Sequence, residues 1–125
     1  MSENQDRDER PCLHCMIMDL LEDFFAEYPA PEREMRIVMM RASGVAERAA
    51  RAVVAAVGRL RREPLAKHPG ISEAAEWAQA ATLLNQQGAR WPDAFRRSLG
   101  VVLKDEDDLV HIAPRIDAIL QEAQV

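Results

Sequence analysis

The sequence predicts an all-α fold, a small bundle of about five to six helices around one core. Three observations carry that expectation. Apolar residues recur at helical spacing along most of the chain, and nowhere do they alternate with the two-residue period of a strand. Aromatics make up only 5% of the 125 residues while hydrophobic residues reach 48%, so the core must be built from Ala, Val, Leu, Ile and Met. Ala and Leu favour helices, whereas strands favour aromatic and β-branched residues. Charged residues stand at 30%, the level of a globular chain rather than a disordered one, and the length suits one domain.

Residues 1–10 read as a charged, disordered tail, and residues 11–125 as one helical domain. That domain has three parts: a C-x-x-C segment with an amphipathic helix (11–28), a bundle (28–108) and a C-terminal helix (109–125). The first helix is expected from about Cys15 to Tyr28. Ile17, Leu20, Leu21, Phe24, Phe25 and Tyr28 form one continuous stripe, and Asp19, Glu22, Asp23 and Glu27 cover the other side. Pro29-Ala30-Pro31 breaks it, and Pro31 suits the first position of the next helix. That second helix, about 31–42, should turn Met35, Val38, Met39 and Ala42 inward before Ser43-Gly44 ends it.

The third helix should run from about Val45 to Arg62. Val45, Ala49, Val53, Val57 and Leu60 form its buried stripe, with Ala46, Ala50 and Val54 beside it; Arg48, Arg51, Arg59 and Arg62 lie opposite. Residues 63–71 form a connector punctuated by Pro64, Pro69 and Gly70. Ser72 is the expected cap of a fourth helix, with Glu73 and Glu76 in its first turn and Trp77, Ala78, Ala81 and Leu84 facing the core. Gln86-Gln87-Gly88 closes it. A fifth helix, about 92–103, should bury Phe95, Leu99, Val102 and Leu103. The acidic run Asp105 to Asp108 then opens a last helical segment that Pro114 should interrupt, with Ile112, Ile116, Ile119, Leu120 and Ala123 on its apolar side.

Net charge is −5 and the pI about 5.2. A dedicated nucleic-acid binder needs a positive field to release phosphate counterions, so that class is set aside. No apolar run approaches the roughly 20 residues of a membrane span, and no signal-peptide core precedes the first helix. The expected compartment is the cytosol, with no membrane partner. All the basic residues but Lys67 and Lys104 are arginines, which pair well with carboxylates and phosphates at interfaces.

The stretch from Tyr28 to Asp108 carries a series of motifs in order: Tyr28-Pro29-Ala30-Pro31-Glu32-Arg33-Glu34; Gly44-Val45-Ala46-Glu47 with Val53 to Arg61; Pro69-Gly70-Ile71-Ser72-Glu73-Ala74; Glu76-Trp77-Ala78; and Leu99-Gly100-Val101-Val102-Leu103-Lys104 before Asp107-Asp108. Their order and spacing resemble the C-terminal helical lid of MoxR-type AAA+ ATPases, particularly the branch linked to maturation of carbon monoxide dehydrogenase-like metalloenzymes. The resemblance covers about two thirds of the chain. It implies a helical bundle that closes over a nucleotide held by a separate α/β domain, and a partner drawn from an AAA+ ATPase or an associated von Willebrand factor A-type protein. The phosphate-cradling G-x-x-x-x-G-K-[ST] loop does not occur here, nor does an apolar strand ending in magnesium-binding acids. Many relatives carry an arginine that reaches the γ-phosphate just after the Pro-Gly turn; the matching position here is Ala74. The expectation is therefore a non-catalytic interaction or adaptor module, not an enzyme. A decayed ATPase fragment is the bland alternative, and the six-residue stripe of the first helix speaks against it. In the family the lid follows directly on a strand; here a whole amphipathic helix stands in that place and is expected to cover the apolar surface a lone lid would expose.

Cys12-Leu13-His14-Cys15 is the one constellation with chemical character. Two thiolates at this spacing can chelate zinc, with His14 as a third donor, but a tetrahedral site takes four ligands. His68, His111 or a second copy of the chain, in a homodimer, would have to complete it. The other readings are a thiol-redox couple at a helix N-terminus, which lacks the βαβ setting of a thioredoxin site, and plain unreactive thiols. Arg48, Arg51, Arg59 and Arg62 are candidate partner-binding residues for an acidic surface or phosphates; the bland reading is a solvated face with i, i+4 pairing to residues such as Glu47. The acidic run lacks the spacing of a calcium loop and reads as a helix N-terminus. His68 is expected to be exposed, His111 has no identifiable base–nucleophile partner, and Trp77 and Trp91 read as packing anchors.

Overall fold

The computed structural model describes residues 28–42 and 44–125. The predicted first helix and the Cys12-Leu13-His14-Cys15 segment lie outside these residues. Pro31–Val125 forms one compact unit. Its elements are α1 (Pro31–Arg41), α2 (Glu47–Leu60), α3 (Ile71–Gln86), α4 (Trp91–Arg97), α5 (Leu99–Val102), α6 (Glu106–Ile112), a 3-10 turn (Ala113–Arg115) and α7 (Ile116–Glu122). The described residues are a small all-α bundle with no strand among them.

The α3 helix is the centre. It packs against α1, α2, α4 and α5, while α2 also meets α1 and α7. Ala74, Ala78 and Ala81 are fully buried on α3, and such small side chains let neighbouring helices approach closely. Trp77 is fully buried and meets Phe95 edge to face, with ring centroids 5.3 Å apart at 88°. Its indole Nε1–H donates to the Phe95 carbonyl at 3.1 Å, satisfying the one polar atom that this burial takes from water. On α2, Ala49, Val53, Val57 and Leu60 are buried as the spacing predicts, and Ala50 and Val54 join them, but Ala46 precedes the helix and is exposed.

Three further expectations need correction. Met39 does not turn inward: it is 37% exposed, while Glu34 is buried on α1 together with Val38. Ser72 does not cap α3, which begins one residue earlier; Gly70 holds the cap position, and its N–H donates to the Glu73 carboxylate at 2.8 Å. The Ser72 hydroxyl instead accepts from Arg41 Nη1 at 2.9 Å. The helix expected over 92–103 is broken at Ser98, whose hydroxyl donates to the Ala94 carbonyl at 2.7 Å, so α4 and α5 are separate. The acidic run opens α6 as expected, with Glu106, Asp107 and Asp108 in its first turn, and Asp108 has a further role there. It is buried, and its two carboxylate oxygens accept the Ala66 and Lys67 N–H groups at 2.9 and 3.0 Å, while Asp105 caps α6 by accepting from the Asp108 N–H.

Pro114 interrupts the last helical segment as expected, producing the 3-10 turn between α6 and α7. Ile112, Ile116, Ile119 and Leu120 are buried along it. At the surface, Arg96 of α4 bridges Asp117 at 2.8 Å and Asp93; these hydrogen bonds, Asp117's first, raise the guanidinium pKa above its usual value.

Candidate functional site

The four arginines singled out in the sequence fall on or just beyond α2, at positions 48, 51, 59 and 62. This follows from helical spacing, since alternate turns bury Ala and Val against α1, α3 and α7 and leave the remaining positions outside. Arg48, Arg51 and Arg62 are exposed and Arg59 is half-buried. Between them the helix surface is floored by small residues, Ala55 and Gly58.

Two grooves flank this face. One, of about 310 Å³, lies between the start of α1 and α2; its walls include Pro31, Met35 and Val54, and Arg51, Arg59 and Arg62 stand along it. The other, of about 530 Å³, lies between the first half of α2 and the end of α7, bordered by Arg48, Ala52, Glu122 and Ala123. Arg51 and Ala55 line both, one groove lying on the α1 side of α2 and the other on the α7 side.

The bland expectation for this face is met in part. Arg51 Nη2 donates to Glu47 at 2.9 Å, the predicted i, i+4 pair, and Arg51 Nη1 stands 3.8 Å from Glu32. Arg59 Nε lies 2.6 Å from a Glu122 carboxylate oxygen. Exposed pairs of this kind contribute little to stability and leave guanidinium donors to spare, since each fork carries five N–H groups. Arg48 and Arg62 have no ion pair among the described residues.

Other polar clusters are structural ties that the sequence reading did not find. Glu34 and Arg61 form a buried bidentate pair at 2.8 and 2.6 Å, and Arg61 Nε donates to the Pro69 carbonyl at 2.9 Å. Glu63 is buried and receives Arg115 at 2.5 Å and His111 Nε2 at 3.5 Å. His68 is exposed as expected, and its Nε2 lies 2.9 Å from the Glu63 carbonyl; a carbonyl only accepts, so Nε2 carries the hydrogen. For the Glu34–Arg61 pair the local signal was a Glu and an Arg at positions whose helical phase should be apolar; Glu63 and His68, in the connector, and Arg115, in the 3-10 turn, gave no such signal.

Among the described residues no group of three or more His, Cys, Asp or Glu side chains is placed to hold a metal ion. Cys12, His14 and Cys15 lie outside those residues. No described helix is long and apolar enough to cross a membrane. The class that the fold defines is a small all-α bundle whose most built surface is the arginine-bearing face of α2. Compared with protein-family models, curated proteins and solved structures, the chain has no significant match.

Proposed function

We propose that this chain is a non-catalytic helical interaction module, similar to the lid of MoxR-type AAA+ ATPases, acting in the cytosol on a protein partner through the outer face of α2. The observation that supports the reading most is the setting of four arginines, on or just beyond α2, along the two grooves that flank that helix. Arginine is enriched at protein interfaces, and apolar grooves beside it supply the surface that association removes from water. The motif resemblance supplies the class of partner: a MoxR-type ATPase or a von Willebrand factor A-type protein of a metalloenzyme-maturation system.

Affinity purification of the tagged full chain from its native cell should recover such an ATPase or its companion in stoichiometric amount. Recovery of neither counts against the reading. Purified chain with ATP and magnesium should release phosphate at background rate; turnover above background would overturn the non-catalytic part.

A second reading rests on Cys12, Cys15 and His14, whose spacing fits a zinc or thiol-redox module. It predicts stoichiometric metal in freshly purified protein, or a depressed thiol pKa at one cysteine. Metal-free protein with two ordinary thiols would eliminate it.

A further inference from the structure

Resting on the reading of α2 as a docking face, we infer that its partner element is an acidic amphipathic helix laid along the outer face of α2, between the two grooves. Three features of the face select that occupant. The first is length. Arg48 and Arg62 are separated by fourteen positions, which at the helical rise is roughly 20 Å, or about four turns of a partner helix. The second is charge. Arg48 and Arg62 are the two arginines without an ion pair among the described residues, and they stand at opposite ends of the face. A helix with a carboxylate near each end would meet both, while Arg51 and Arg59 keep their pairs to Glu47 and Glu122. The residues lining the two grooves include four arginines against three glutamates, Glu32, Glu47 and Glu122, so on a chain of net charge −5 the unmatched charge of this face is positive, and an acidic helix complements it.

The third feature is Gly58. It lies inside α2, where glycine weakens a helix relative to alanine. Nothing stands within 4 Å of where its Cβ would be, so the fold itself offers no steric reason for glycine at this position. With Ala55 it floors the groove walled by Met35 and Val54. A bare floor lets a second helix approach to the short interaxial distance at which apolar side chains interdigitate.

The probe is a designed, fluorescein-labelled eighteen-residue peptide, helical, with leucines at i, i+3, i+4, i+7 and glutamates at both ends. A matched peptide carries lysines in place of the glutamates. Fluorescence anisotropy with the full chain should show saturable binding of the acidic peptide that weakens as salt is raised, and at least tenfold weaker binding of the basic one. The R48E/R62E double variant removes two side chains that pair with nothing in the fold. It should keep the circular-dichroism spectrum and melting temperature, lose the acidic peptide by at least tenfold, and gain the basic one. Gly58→Leu should fold at least as stably as the parent and lose the peptide by a similar factor, because the leucine fills the floor. Equal binding of the two peptides, no binding of either, or unaltered binding by both variants overturns the inference. So does a self-association that R48E/R62E abolishes, since the occupant is then a second copy. If the peptide results hold but no ATPase or companion protein is recovered from cells, the docking inference stands and the proposed system falls. If such a partner is recovered equally well by R48E/R62E and Gly58→Leu, the reverse is true.

Discussion

Glu34 shows most plainly how a single side chain can hold this fold together. It is 2% exposed, on a helix that otherwise buries aliphatic residues, and both its oxygens are matched to the two terminal nitrogens of Arg61, itself 9% exposed. The planar fork of arginine suits this bidentate geometry, and its Nε extends the tie to the Pro69 carbonyl just before α3. The pair therefore joins α1, the end of α2 and the start of α3. Removing Glu34 takes both bidentate bonds from a largely buried guanidinium, so Glu34→Ala should cost about 3 kcal/mol in equilibrium urea unfolding. A loss below about 1 kcal/mol would show that this pair is worth no more than an exposed one. Asp108 does similar work between the connector and α6. Asp108→Ala strands two backbone N–H groups and should cost about 2 kcal/mol, with faster hydrogen exchange at the Ala66 and Lys67 amides as the local readout. Asp108→Asn retains one acceptor oxygen and should fall in between. Neither residue announced its role in the sequence. An acid on a helix reads as surface, and what reverses that reading is a partner 27 or 42 positions away, beyond the reach of any local pattern.

Helices in this bundle are legible where one stripe decides the matter and illegible where a single residue does. The α2 stripe appears in the sequence and in the structure alike because Ala49, Val53, Val57 and Leu60 share one face whatever the rest of the chain does. The break between α4 and α5 could not be read, since the apolar phase runs through it; Ser98 competes for the carbonyls of its own preceding turn. The start of α3 was misplaced because serine is the commoner cap, while here Glu73 satisfies the cap N–H of Gly70. Glycines give an element-level test in which one substitution has opposite signs. Gly58 lies within α2, and Gly58→Ala should raise stability by roughly 0.5–1 kcal/mol. Gly88 follows α3 at φ +107, where an alanine is strained, and Gly88→Ala should lower stability by about 1–2 kcal/mol. Both sites are otherwise open around the added carbon, so backbone conformation alone separates them. Equal effects in thermal unfolding would contradict the assignment of either helix boundary.

Across the whole molecule, the resemblance motifs fall both on the internal ties and on the arginine face, whose grooves are lined by Pro31, Glu32, Glu47 and, from the stretch Val53 to Arg61, Val54, Ala55, Gly58 and Arg59. Glu34, Pro69, Gly70, Glu73 and Trp77 belong to the internal ties and packing that shape the bundle, and they say little about what it touches. Arg48, Arg51, Arg59 and Arg62 lie outside those ties, two of them without an ion pair among the described residues, beside the two grooves. Their placement was legible from spacing. The grooves were not, because their walls come from Met35 on α1 and Glu122 on α7, which meet α2 only in three dimensions. The most direct measurement is site-specific photo-crosslinking of the full chain in its native cell. A crosslinking residue is placed at Ala55, which lines both grooves, and separately at Met40 and Val110, which are exposed apolar residues outside both. The account predicts capture of a MoxR-type ATPase or its von Willebrand factor A-type companion from position 55 and not from the other two. Capture of that protein from position 40 or 110, with none from position 55, would contradict it.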